Sequence, residues 1–423
     1  MAIPQEIATT IVDPKAYAHW ERSHEAFKEL RKSAPLDIAE PPGFDPFWVV
    51  TRFDDIQAIE KENELFHNGD RATTLTTQIS DAKVREMTGG SPHLVRSLVQ
   101  MDNPDHRNYR HLTQNWFMPQ NLKQLEGRVR EIAKEFVDRM LEMDGECDFA
   151  RDVAFLYPLR VVMEVIGVPE TDEPRMLKLT QELFGSADTD LNRTGQEATA
   201  ETITAVVAET VADFFTYFEQ MTEDRRANPR NDLASIISNG KIEGMPLGHL
   251  EAMSYYMIAA TAGHDTTSAS TASAAWALAE RPDQFAKVKA NPALIPKLVE
   301  ESIRWETPVK HFMRTATADA EVAGQKIAKG DWLMLCYPSG NRDETKFDQP
   351  FEFDIERTPN KHVAFGYGAH VCLGQHLARL EMRVLWEELA KRVESFELNG
   401  TPTRMAANFV CGPKSVPIRF KAA

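Results

Sequence analysis

Cysteine is scarce. Its four occurrences, Cys147, Cys336, Cys372 and Cys411, form no CxxC pair, which excludes a disulfide framework or a zinc ribbon and fits a reducing cytoplasm. Positive charge is also short: 48 Lys and Arg against 64 Asp and Glu give a formal charge of −16. That balance argues against binding nucleic acid, and it repels anionic membrane surfaces. Long apolar runs are missing too. Tyr255–Gly263 falls well short of the ~20 residues that span a bilayer, and Met1–Tyr17 has neither the basic start nor the apolar stretch of a signal peptide. No glycine-rich dinucleotide fingerprint follows a strand pattern, so no flavin or nicotinamide domain is expected. Internal repeats and low-complexity tracts are absent as well.

What remains is ordinary globular composition, 42% hydrophobic and 26% charged, in a 423-residue chain long enough to bury a large core. Helical periodicity dominates. Leu125, Val129, Ile132, Phe136 and Met140 recur at helical spacing, and similar patterns cover Asp172–Phe184, Ala198–Met221, Leu247–Arg281 and Gly374–Val393. Strands are predicted at Phe47–Thr51, Glu321–Gln325 and Asp331–Tyr337, the last two joined through Ala328–Gly330. Arg225–Asp232 reads as a polar loop between helices. The expected fold class is mainly α with a minor β part, over 1–423 as a single unit.

The segment KHVAFGYGAHVCLGQHLARLEM (Lys361–Met382) carries the chemistry. Phe365, Gly366, Gly368, His370, Cys372 and Gly374 form a glycine-rich loop entering a helix whose apolar face includes Leu377, Leu380 and Val384. Glycines let a large flat ligand approach the backbone. Unpaired N–H groups at a helix start favour a thiolate, and a thiolate there is a good axial ligand for haem iron. A lone cysteine is otherwise a small core residue, a nucleophile awaiting a histidine, or a metal ligand with His370 and His376. The six-position pattern decides against these, arising by chance in about one in 10⁶ chains of this length.

That pattern resembles the haem loop of the bacterial cytochrome P450 monooxygenases, most nearly the α-terpineol-hydroxylating type. The likeness extends through GGSPHLVRSL, LTQNWF, YPLRVVMEVIGVPE and GPKSVPIRF over nearly the whole chain, and is weakest at Gly185–Ala205, where extra residues fall in the usual substrate-access lid. The resemblance implies a triangular-prism fold with haem b between the helix of Ala262 and Gly263 and the Cys372 loop, Cys372 being the iron ligand. It implies that Glu301, Arg304 and Arg357 form a structural network, although Glu-x-x-Arg alone reads as a solvated surface pair.

AGHDTT (Ala262–Thr267) looks like the oxygen-activation motif, with Asp265 and Thr266 as the catalytic acid–alcohol pair; His264 is expected to face solvent or a polar pocket. Fifteen of the 17 residues in Ala259–Ala275 are Ala, Gly, Ser or Thr. A tightly packed core helix explains that composition equally well without the motif. His106, Arg110, Arg314 and His370 fall where the family holds the haem propionates. Phe184, Val309, Phe312, Phe409 and Val410 would line the substrate pocket, with Lys310 as a cation able to meet a carboxylate.

The implied function is hydroxylation of a small hydrophobic substrate, a monoterpenoid or an alkyl or polycyclic aromatic hydrocarbon. It uses dioxygen and electrons from a [2Fe-2S] ferredoxin and its reductase. A non-catalytic haem gas sensor would have no need of Asp265 and Thr266, and peroxygenases or haem-dependent isomerases commonly lose that pair.

Overall fold

In the computed structural model, which describes residues 3–423, helices are built where apolar spacing meets a clear start. Pro119 opens the helix Pro119–Leu141, which buries Leu122, Val129, Ile132, Phe136 and Met140. That stripe packs along Gln375–Arg392, whose Leu377, Val384, Leu385 and Leu389 are buried in turn. Leu125 and Leu380, expected on these apolar faces, are half-buried at their edges. Other predicted helices appear as Glu173–Phe184 and Ala200–Ala227. The second runs six residues beyond Met221, because Arg225 is buried, with Nε donating to Asp232 Oδ2 at 2.7 Å and Nη2 to the Gly167 carbonyl at 2.8 Å. Asp232 also caps the next helix, accepting from the Ser235 N–H at 2.8 Å.

One predicted helix is two. Leu247–Arg281 divides into His249–Ala262 and Asp265–Glu280, with His264 at φ −94° and ψ −71°. The Thr266 hydroxyl donates to the Ala262 carbonyl at 2.9 Å, so a side chain occupies an acceptor of the helical ladder. Asp265–Glu280 is buried on nearly every face. Small side chains let it pack against Leu156–Ile166 and Ile295–Glu306.

The strand predicted over Glu321–Gln325 is also two strands, Ala320–Val322 and Gln325–Ile327. Ala323 and Gly324 both take positive φ, 48° and 79°, and turn the chain back as a tight hairpin between them. Trp332–Cys336 lies in a five-stranded sheet whose spatial order is Leu36–Ala39, Phe47–Val50, Trp332–Cys336, His311–Ala316, Phe66–His67. Leu333 pairs with Trp48 in parallel and with Arg314 in antiparallel register, which places His311–Ala316 beside the central strand. A second sheet joins Val393–Leu398, Pro417–Ala422 and Glu146–Asp148. Among the described residues, no helix is long and apolar enough to cross a membrane.

Candidate active site

Between the split helix and the loop before Gln375–Arg392 lies a cavity of about 910 Å³. Ala262, Gly263 and Thr266 form one wall, and Phe365, Gly366, His370, Cys372 and Gly374 form the opposite one. The loop's path depends on glycine at Gly368: φ is +69°, and a Cβ would lie 2.3 Å from the Glu60 carbonyl. Gly374 differs. Its φ is ordinary, and a Cβ there would meet no protein atom within 4 Å, so the protein alone does not demand a glycine.

The Cys372 N–H donates to the Phe365 carbonyl at 2.8 Å, closing the loop. The thiol is open to the cavity but screened from the surface, and burial raises its pKa. Backbone N–H groups of Gly374 and Gln375, with Arg110 and Arg379, act in the opposite direction. The cavity wall therefore offers one soft ligand atom already set among donors.

At one end of the cavity, Asp105–Thr113 carries His106 and Arg110 on one face, and His311–Ala316 carries Arg314. The His106 and His370 rings stack with centroids 3.9 Å apart. Burial, then Arg110 and Arg314, lowers the His106 pKa to about 4; His370 is lowered further by burial and by Arg314, His106 and Arg110. Arg110 Nη2 donates to the Val371 carbonyl at 2.7 Å, while His106 Nε2 is buried without a hydrogen-bond partner. Arg314 Nη2 meets Glu60 Oε1 at 3.3 Å, and the Tyr337 hydroxyl donates to the same oxygen at 2.7 Å. These donors gather around space that a ligand's carboxylates would fill. Together with one cysteine and a flat slot between helix and loop, they fit haem b.

All ten residues expected to bind the cofactor line this cavity, as do Phe184, Val309, Phe312, Phe409 and Val410. Phe409 meets Phe184 and Phe312 with ring centroids 6.2 and 5.4 Å apart. Lys310 does not line it. Its ammonium is buried against Glu306, 3.0 Å from Oε1 and 2.9 Å from the carbonyls of Glu306 and Thr307, so it is no anchor for a substrate carboxylate. Thr266 reaches the cavity, whereas Asp265 is turned toward His264. His264 faces no solvent. It is fully buried among Thr180, Asp265 and the Phe155 carbonyl, of which only the polar surroundings were anticipated.

Glu301 and Arg304 are also fully buried rather than solvated. Two Arg304 nitrogens reach the Glu301 oxygens at 2.7 and 2.8 Å, and Arg357 Nε lies 3.2 Å from Oε2. Arg304 continues to the Asn341 and Pro350 carbonyls, so the network ties down the chain leading into the cysteine loop.

Two buried carboxyls that line the cavity, Glu60 and Glu381, carried no signal in the sequence. Burial raises Glu60 to about 7 despite Arg314 and Tyr337. It raises Glu381, beside Thr267, well above its usual range, and Oε2 has no partner. An isolated glutamate in a helix carries no sequence signal of burial, so neither was detectable. The Gly185–Ala205 segment covers the cavity: Ser186, Ala187, Glu197, Ala198 and Ala200 line it, while Asp188 holds Lys414 at 3.0 Å from each carboxylate oxygen.

Comparison with known proteins agrees with this geometry. The family model for cytochrome P450 matches residues 73–293 and 289–417. Cytochrome P450-terp from Pseudomonas sp is 49% identical over 422 residues, covering 100% of this chain and 99% of the relative. Linalool 8-monooxygenase from Pseudomonas putida is 30% identical over 399 residues, covering 93% and 95%. The crystal structure of CYP108D1 from Novosphingobium aromaticivorans matches with a TM-score of 0.92 at 49% identity, over 100% of both chains. That of CYP268A2 from Mycobacterium marinum in complex with pseudoionone matches at 0.86 and 32%, over 95% of both. With a thiol-bearing glycine loop facing a split helix, and these relatives along its full length, the chain belongs to the cytochrome P450 family of haem b-binding monooxygenases.

Proposed function

We propose that the chain hydroxylates a compact hydrophobic molecule, a terpenoid or alkyl-substituted aromatic, in the cytoplasm, as one functional unit with electrons from a [2Fe-2S] ferredoxin and its reductase. The observation that carries the substrate reading is the lining of the cavity: Val95, Leu98, Phe184, Phe312, Phe409 and Val410 present apolar surface. The lining cations Arg110 and Arg314 sit at the end assigned to haem carboxylates, and Lys15 at the mouth is paired with Glu197 at 2.6 Å. Such a pocket selects by area and shape, each buried methylene contributing about 0.8 kcal/mol. One relative named for linalool monooxygenation, and another solved with pseudoionone, support a terpenoid.

Bound haem supplies dioxygen activation and oxygen insertion into a C–H bond. In this reading Cys372 would ligate its iron, and His106, Arg110, Arg314 and His370 would hold its carboxylates. Thr266 presents its hydroxyl at the cavity wall, and Asp265, the residue before it, resupplies the proton. The apolar wall excludes bulk water and keeps the substrate beside the hydroxyl.

Titrating α-terpineol, p-cymene, biphenyl and dodecanoate while following the haem optical shift tests the substrate class. The first three are expected to bind more tightly and shift more than dodecanoate; the reverse order sinks the reading. For the proton role, Thr266→Ala should leave the binding constant nearly unchanged and lower coupled product formation by about 10²-fold. Hydrogen peroxide should rise to account for the electrons consumed, and unchanged coupling would count against the assignment.

A further inference from the structure

His264 stands at the break between His249–Ala262 and Asp265–Glu280, fully buried, and its ring nitrogens meet three oxygens. Nε2 lies 2.8 Å from the Phe155 carbonyl, which can only accept, so Nε2 carries a hydrogen. Nδ1 lies 3.1 Å from Thr180 Oγ1 and 3.2 Å from Asp265 Oδ2. The Thr180 hydroxyl has one hydrogen, and at 3.0 Å it is directed to the Leu177 carbonyl in its own helix. A neutral imidazole with its hydrogen on Nε2 would then aim a bare Nδ1 lone pair at a carboxylate oxygen. In a buried site that contact is repulsive. One additional proton between Nδ1 and Oδ2 resolves it, as imidazolium with carboxylate or imidazole with carboxylic acid.

We infer that His264 and Asp265 hold one shared proton, and that His264 is a positioning residue which keeps Asp265 supplied. This rests on the reading of Asp265 as the acid that feeds Thr266. The shared proton moves from Nδ1 to Oδ2, the N–H bond breaking as the O–H bond forms, and Asp265 then passes it toward the cavity, remaining a carboxylate until a proton from solvent refills the pair. The ring is left neutral with Nε2–H still on Phe155. Refilling passes through Asp265, which is 8% exposed, since His264 has no exposed surface. Asp265 is the ionisable group bonded to the ring; its other partners are a hydroxyl and a backbone carbonyl.

The test is nitrogen NMR of the diamagnetic ferrous–carbonyl holoenzyme labelled with 15N-histidine. His264 signals are those missing in His264→Gln or, should that variant not accumulate, those that move in Asp265→Asn. The wild type is expected to keep a proton between Nδ1 and Asp265 across pH 6–8, and Asp265→Asn to leave the plain Nε2–H tautomer. A bare, Asp265-insensitive Nδ1 in the wild type overturns the inference. As a second readout, His264→Gln should slow coupled turnover about 10-fold, the scale for losing a partner one bond from the acting group, and raise the solvent isotope effect with substrate binding unchanged. An unaltered isotope effect in His264→Gln beside a raised one in Asp265→Asn overturns this inference alone. No change in Asp265→Asn would overturn the acid role beneath it as well.

Discussion

Cys372→His is expected to abolish the shifted carbon monoxide band of a thiolate-ligated haem and to remove monooxygenase turnover entirely. Histidine can still ligate iron, but it lacks the electron donation that promotes O–O cleavage. Serine substitutions at Cys147, Cys336 and Cys411 should preserve both properties. Burial raises the pKa of each of these thiols: Cys147 reaches about 12 with Asp152 and Asp148 adding to the effect, and Cys336 goes higher still. Cys411, although near Lys310 and Arg404, donates from Sγ to the Met405 carbonyl at 3.2 Å and so remains a thiol. Optical spectra of the reduced, carbon monoxide-treated variants decide the matter. A retained band in Cys372→His, or its loss on changing another cysteine, would refute the assignment.

Arg304→Ala should cost about 3–5 kcal/mol, the range for removing one partner of a buried ion pair. Glu301 would keep Arg357 and the Asn360 amide at 3.1 Å, but the Asn341 and Pro350 carbonyls would lose their shared donor. Because that stretch leads into the cysteine loop, haem loss should accelerate alongside the fall in denaturation midpoint. Glu301→Leu combined with Arg304→Met and Arg357→Leu should cost less than the three single changes summed, since no member of the buried network is then left as an uncompensated charge. Equal haem retention in wild type and Arg304→Ala, measured by transfer to an acceptor protein, would show that the network does not support the loop.

The cysteine loop and the split-helix motif were legible because their signals are short-range. A thiol, glycines at fixed offsets and a helix start all lie within Phe365–Gly374, and AGHDTT is contiguous. The resemblance of AGHDTT implied that Asp265 and Thr266 bend the helix hydrogen bonding, but periodicity alone ran one helix through Leu247–Arg281, since apolar and small residues continue across the break without a proline. The Ala323–Gly324 turn was missed because Glu321–Gln325 alternates like a strand, and the short hairpin is set by two positive φ values.

By itself, then, the sequence determined the family, the thiol ligand and the mainly helical class, each through residues close together in the chain or through periodicity. Tertiary structure decided the electrostatics. Whether Glu301–Arg304 is a surface pair or a fully buried tie depends on carbonyls 37 and 46 residues from Arg304. Whether Lys310 meets substrate or Glu306 depends on the turn after Ile295–Glu306, which folds its ammonium back onto the end of that helix. Whether His264 faces solvent or a polar pocket depends on Thr180 and Phe155, 84 and 109 residues away, which close around it. Desolvation and pairing arise only when distant segments exclude water together, and no local pattern encodes that.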